Sequence, residues 1–162
     1  MSKDLEELIG SELRDRGWRL AVAESCTGGL IGHRITNISG SSTYYLGSIT
    51  AYAYRAKVRL LGVSWDTLEK FGAVSEETIK EMSLGVRHAL AADIGLAVSG
   101  IAGPTGGTLD KPVGYTWIGL STPEGFWTLQ HTASGNRIEN KQEIAQKALE
   151  FIHEYLVNNG KD

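Results

Sequence analysis

Ser25 stands at a corner. The run Ala21-Val22-Ala23-Glu24-Ser25-Cys26-Thr27-Gly28-Gly29 opens apolar, turns polar and ends in two glycines, after which Leu30, Ile31 and Ile35 recur at helical spacing. That order reads as strand, tight turn and helix. A hydroxyl at such a corner faces free backbone N–H groups and the positive end of a helix dipole. The glycines let a ligand approach the main chain. Ser25 there could attack a carbonyl while the amides of Cys26, Thr27, Gly28 and Gly29 hold the oxyanion. The same residues also fit a plainer role, with Ser25 or Thr27 only capping the helix.

A second group, Ala51-Tyr52-Ala53-Tyr54-Arg55-Ala56-Lys57, sits at another strand-to-helix junction. Lys57 could serve as a general base for Ser25, with Tyr52 passing the proton between them. Its pKa must then fall from about 10.4 toward neutrality, roughly 4–5 kcal/mol against the charged form, through desolvation or a neighbouring cation. The alternative is a solvated helix lysine and an edge-strand tyrosine. A third group is the Gly-rich loop holding Gly100, Ile101, Ala102, Gly103, Thr105, Gly106 and Gly107. It could cradle an anion with its free amides, or simply link two strands. It lacks the Gly-Lys-Ser/Thr of a Walker loop and the placement of a Rossmann fingerprint. In the fourth, Gly135-Asn136-Arg137, the arginine could fork onto a phosphate or carboxylate or lie on the surface.

The elements that must position these residues follow from periodicity and punctuation. Helices are predicted over residues 3–16, from the glycines to about 37, 53–61, a short one from Ser64 to Gly72, 75–92 and about 136–157. Strands are predicted over 18–23, 43–52, 94–99, 113–121 and 126–133, the last two as a hairpin turning at Thr122-Pro123-Glu124-Gly125, with both hairpin strands buried in part on two faces. The pattern gives an α/β fold, a three-layer α/β/α sandwich with a mixed sheet of about five strands. Ligands in such sheets gather beyond the carboxyl ends of the strands. If the first and third strands run parallel, the Ser25 corner and the Gly100 loop leave the same edge.

Composition narrows the classes. The 162 residues fit a single domain over 1–162. A net charge of −3 argues against a nucleic-acid binder relying on bulk positive charge. One cysteine allows no intrachain disulfide and suits a reducing cytoplasm. His33, His88, His131 and His153 are scattered, so no metal cluster is expected. No apolar run approaches a membrane span. Four Trp and six Tyr leave a homo-oligomer contact open.

Several ordered motifs together resemble the CinA C-terminal domain family: residues 23–29, the 52–57 segment with Leu60-Leu61-Gly62-Val63, Ser99-Gly100-Ile101-Ala102-Gly103-Pro104, Gly106-Gly107 and Lys111-Pro112-Val113-Gly114. The resemblance runs from about Leu5 to Leu156. Stand-alone members are nicotinamide-nucleotide amidohydrolases of the PncC type. The resemblance implies hydrolysis of nicotinamide mononucleotide to nicotinate mononucleotide and ammonia, in pyridine-nucleotide recycling. It implies Ser25 as nucleophile, Lys57 as base and Tyr52 between them, with no metal or organic cofactor. The partner is then a small-molecule nucleotide, with its phosphate on residues 100–108 and Arg137. The competing expectation is a catalytically idle nucleotide- or phosphate-binding module related to competence or damage-inducible proteins. The chain departs from the family at Ala53, where a small polar residue is usual, and at Asn136, where Gly-Asp-Arg becomes Gly135-Asn136-Arg137.

Overall fold

The structure is a computed structural model and describes residues 2–159; residue 1 and residues 160–162 of the expected domain lie outside the described residues. In chain order the elements are α1 (Leu5–Arg16), β1 (Leu20–Glu24), α2 (Leu30–Thr36), β2 (Tyr45–Thr50), α3 (Tyr54–Leu61), α4 (Trp65–Phe71), α5 (Glu76–Ala89), β3 (Ile94–Gly100), β4 (Tyr115–Thr122), β5 (Gly125–Thr132) and α6 (Arg137–Asn158). A short 3-10 turn, Ser41–Thr43, occupies the start of the expected second strand. Gly17 and Gly62 close α1 and α3 in the left-handed region, at φ 67 and 70, which glycine adopts without steric cost.

The five strands form one mixed sheet in the order β2-β1-β3-β4-β5. β1 pairs in parallel with both β2 and β3, while β3–β4 and β4–β5 are antiparallel. Every residue of β1 is buried, as expected for a strand covered on both faces. Leu20 and Val22 join Ile9, Leu13, Ile31, Ile35 and Ile144 in a core beneath α1, α2 and α6. Ala21 and Ala23, pointing the opposite way, meet Leu61, Leu68, Ile79 and Met82 beneath α3, α4 and α5. The result is an α/β/α sandwich. Of the hairpin strands, β4 is buried on both faces along most of its length, but no residue of β5 is fully buried. Burial of β5 is partial, with the neighbours Trp127 and Thr128, on opposite faces, both half-buried, and β5 is an edge strand with a neighbour on one side only.

The order β2-β1-β3 places consecutive connections on opposite sides of β1, so the chain reverses direction across the sheet beside it. Crevices at such reversals are where ligands bind in open α/β sheets. Glu24 is level with Thr50 on one side and Val98 on the other. The Ser25 corner, the 51–57 junction and the Gly100 loop therefore leave the same edge.

Candidate active site

Period-two alternation along β1 assigns two neighbouring polar residues to opposite layers. Glu24 faces α2 and Ser25, next along, faces α3. The Glu24 carboxylate is fully buried. It accepts from the Thr27 hydroxyl at 2.6 Å and from the amides of Gly29 at 3.2 Å, Ile31 at 2.9 Å and Gly32 at 3.0 Å. A buried carboxylate thus satisfies the start of α2, the place where helix amides lack partners. Sequence reading offered Ser25 or Thr27 as the cap and passed over Glu24. The signal was present in its position, one residue before a nucleophile candidate and at the end of an apolar strand.

This arrangement redistributes the expected oxyanion donors. The Gly29 amide is committed to Glu24, and the Gly28 amide donates to the Ser25 carbonyl at 3.2 Å. Among the described residues, the amides of Cys26 and Thr27 donate to no backbone carbonyl, and that of Cys26 also meets its own thiol. Of the four expected donors, these two remain.

Lys57 lies in the first turns of α3, and helical side chains lean toward the N-terminus. Its stem therefore runs back to the end of β2. The residue is 1% exposed. Its Nζ is 2.8 Å from Ser25 Oγ, 2.9 Å from the Ala51 carbonyl and 2.9 Å from the Tyr52 carbonyl. Burial lowers its pKa from 10.5 to about 8, opposed in part by the neighbouring Cys26. An ammonium can donate to all three oxygens. A neutral amine can donate to the two carbonyls and accept the Ser25 proton with its lone pair.

Cys26 is the other nucleophile at the corner. Burial pushes its thiol up to about 12, against hydrogen bonds from its own amide and that of Gly100 and the pull of Lys57. A protonated thiol is a poor nucleophile, so burial disfavours Cys26 for that role.

Tyr52 is not placed between Ser25 and Lys57. Only its carbonyl meets Lys57. Its side chain is 59% exposed, and its hydroxyl accepts from Arg137 Nη2 at 3.0 Å. The expected relay through the phenol is replaced by direct contact, because the helical lean of Lys57 already delivers the amine to Ser25. Arg137 also donates through Nη1 to the Gly103 carbonyl at 2.7 Å, closing the mouth of a cleft of about 320 Å³. Ser25, Cys26, Tyr52, Lys57, Gly100, Ile101, Ala102, Gly103, Thr105, Gly106 and Arg137 all line it.

Gly107 instead packs against the backbone of Val113, and Thr27, Gly28 and Gly29 sit behind the corner, toward α2 and α6. The Ile101 amide is committed to the Tyr115 carbonyl at 3.0 Å. Gly100 is required by space: a side-chain carbon there would lie 2.4 Å from Thr116 Oγ1 and 3.2 Å from Cys26 Sγ. Asn140, fully buried on α6, donates to the Ala102 carbonyl at 3.0 Å and accepts from the Gly135 amide at 2.8 Å. It ties the loop to the start of α6 and was missed in the sequence, where it reads as one polar residue within a helix.

The two family departures differ in effect. Asn136 completes a capping box with Glu139, so it caps α6 in the way an aspartate would. The Arg137 head is oriented by Gly103 and Tyr52 rather than by residue 136. Ala53 leaves the start of α3 without a side-chain cap. Among the described residues no group of three potential metal ligands gathers, and no helix is long and apolar enough to cross a membrane.

The model of the CinA C-terminal domain matches residues 2–156. The nicotinamide-nucleotide amidohydrolase PncC of Enterobacter agglomerans is 45% identical over 161 residues, covering 96% of this chain and 98% of that protein. A putative competence-damage inducible protein of Halothermothrix orenii is 49% identical over 153 residues, 94% of this chain. The chain spans only 35–38% of the length of that relative and of two CinA-like proteins. The crystal structure of a CinA superfamily protein from Klebsiella pneumoniae superposes with a TM-score of 0.90 at 31% identity, over 96% of this chain and 99% of that one. With motifs, fold and nearly the whole length in agreement, this chain belongs to the CinA C-terminal domain family.

Proposed function

We propose that the chain hydrolyses the carboxamide of nicotinamide mononucleotide, giving nicotinate mononucleotide and ammonia, with Ser25 as nucleophile and Lys57 as base. The observation that carries this reading is the buried Lys57 amine 2.8 Å from the Ser25 hydroxyl. The PncC relative supports the choice of substrate through its name and its near-complete coverage.

Neutral Lys57 accepts the Ser25 proton as the oxygen attacks the carboxamide carbon. The carbonyl oxygen becomes an oxyanion beside the Cys26 amide at the wall of the cleft, where a fixed donor favours the developing charge. Lys57, now an ammonium, returns the proton to the departing amine, and ammonia leaves an ester on Ser25. Water then attacks the ester, giving its proton to Lys57, which passes it back to Ser25 as the acid departs. Serine–lysine pairs run such cycles without histidine or aspartate. Arg137 and the loop amides around Gly103, Thr105 and Gly106 bind the 5′-phosphate, and the Tyr52 phenol orients Arg137. No step calls for a metal or organic cofactor. A cytoplasmic role in pyridine-nucleotide recycling fits the single buried thiol.

The test is ammonia release from nicotinamide mononucleotide by the wild type, Ser25→Ala and Lys57→Met. Release by the wild type should fall at least 1,000-fold in both folded variants, on the order seen when members of a catalytic triad are removed. Nucleotide binding by a wild type with no turnover would point instead to an idle binding module.

A further inference from the structure

The cleft beside Ser25 is lined by one sign of charge. Among the described residues that face it, the charged side chains are Lys57 and Arg137, and no carboxylate joins them. The rest of the wall is glycine backbone, hydroxyls, small apolar groups and two aromatic rings, Tyr52 and Tyr54. The two tyrosines differ. Tyr52 is committed, its phenol accepting from Arg137 at 3.0 Å. Tyr54, the first residue of α3, is 44% exposed. It joins neither hydrophobic core. Among the described residues its side chain makes no hydrogen bond, ring contact or cation contact. It stands three residues before Lys57, so both lie on one face of α3, on the side of the cleft where the amine meets Ser25.

A ring left in water adds little to the fold, and tyrosine is a middling helix former. An aromatic face at the wall of a cleft is a contact surface for a flat ligand. The proposed substrate supplies one. Its carboxamide carbon must reach Ser25 Oγ, and the pyridine ring is bonded directly to that carbon. The ring therefore lies at the Ser25 end of the cleft while the phosphate reaches toward Arg137. That ring is a pyridinium, positively charged at its ribosylated nitrogen. No carboxylate lines the cleft to neutralise it, and Arg137 repels it. An aromatic face, negative through its quadrupole, attracts a cation within about 6 Å of its centroid. The Tyr54 ring has that face unpartnered, and it shares the wall with the base that acts on the carboxamide.

We infer that the Tyr54 ring is the platform on which the substrate's pyridinium stacks, which makes Tyr54 a specificity-determining residue favouring N-ribosylated, positively charged carboxamides over uncharged ones. This rests on the amidohydrolase reading and extends it to recognition of the ring.

The experiment measures KM for nicotinamide mononucleotide, and the inhibition constant of its reduced dihydropyridine form, in the wild type, Tyr54→Leu and Tyr54→Phe. The reduced form keeps the ribose and phosphate but has a neutral ring. Leucine keeps apolar contact and removes the π face. Tyr54→Leu should raise KM for the mononucleotide about fivefold, as for a cation–π contact at a partly exposed site. The inhibition constant of the reduced form should change by less than about twofold, and Tyr54→Phe, which keeps the face, should hold both values within about twofold of the wild type. The effect falls on KM, since the cation is present in ground state and transition state alike. An unchanged KM in Tyr54→Leu, equal losses for both ligands, or a Tyr54→Phe variant as impaired as Tyr54→Leu overturns the inference while leaving the amidohydrolase reading intact. If the wild type releases no ammonia, that reading fails, and calorimetry with the same two ligands decides for Tyr54. Weaker binding of the cationic form alone in Tyr54→Leu upholds the platform, and equal or absent binding overturns it.

Discussion

With two carbonyls and a hydroxyl around it, the Lys57 nitrogen is hydrogen-bonded in either protonation state, so a proton can come and go without rearranging its neighbours. Ser25 owes its place to the residue before it. Glu24 pins the start of α2 through four hydrogen bonds, and that pinning sets the direction in which the Cys26 and Thr27 amides point. Glu24→Gln keeps the shape but turns one acceptor oxygen into a donor that faces backbone N–H groups. We expect kcat to fall roughly 10- to 100-fold, as for misplacement of reacting groups by about an ångström, with KM nearly unchanged. Steady-state kinetics on the folded variant checks this, and a raised KM with intact kcat would show that Glu24 serves binding instead. That Ser25 and Lys57 could meet was legible because each sits at a strand–helix junction. The role of Tyr52 was not legible, since spacing along the chain does not say which way a side chain turns, and Arg137, 85 residues away, captured its phenol.

At the scale of elements, the candidate site depends on how α3 is seated. Its capping position is Ala53, which supplies no side-chain bond, so packing must hold it. Gly85 of α5 provides that packing. A side-chain carbon there would lie 1.8 Å from the Leu61 carbonyl at the end of α3, a clash with backbone that a rotamer change cannot relieve. Gly85→Ala should therefore destabilise the fold by about 3 kcal/mol, the upper part of the range for overpacking, and lower activity by shifting Lys57. Urea unfolding and ammonia release measure the two effects, and a variant as stable and active as the wild type would show that α3 is not held in this way. The amphipathic period of α5 was clear in the sequence, and Ser75 does cap it, accepting from the Thr78 amide at 3.1 Å. The need for glycine at position 85 was invisible there, because close approach of two helices is set by tertiary packing.

For the whole molecule, fold class and sheet edge were readable because alternation, glycine punctuation and element order agreed with one another. What the sequence could not show was that β5 is an edge strand of the sheet, since strand order is set by tertiary pairing. Burying Lys57 has a consequence for overall stability. Its pKa in the fold, about 8, lies below the free value of 10.5. Below pH 8 both folded and unfolded chains carry the proton and the fold bears the full cost of the buried charge. Between 8 and 10.5 the unfolded chain binds more protons, so stability rises with pH. Relative to Lys57→Met, whose lost hydrogen bonds are independent of pH, the wild type should gain about 2 kcal/mol between pH 7 and pH 10. Urea unfolding of both at the two pH values reads the difference, and parallel behaviour would mean that Lys57 keeps an ordinary pKa. The central claim is that Ser25 carries the acyl group, and the most direct measurement is the mass of the enzyme quenched during turnover of nicotinamide mononucleotide. The account predicts one acyl adduct, mapped to the peptide containing Ser25 and absent from Ser25→Ala. Ammonia release that persists in Ser25→Ala with no adduct on any peptide would contradict it.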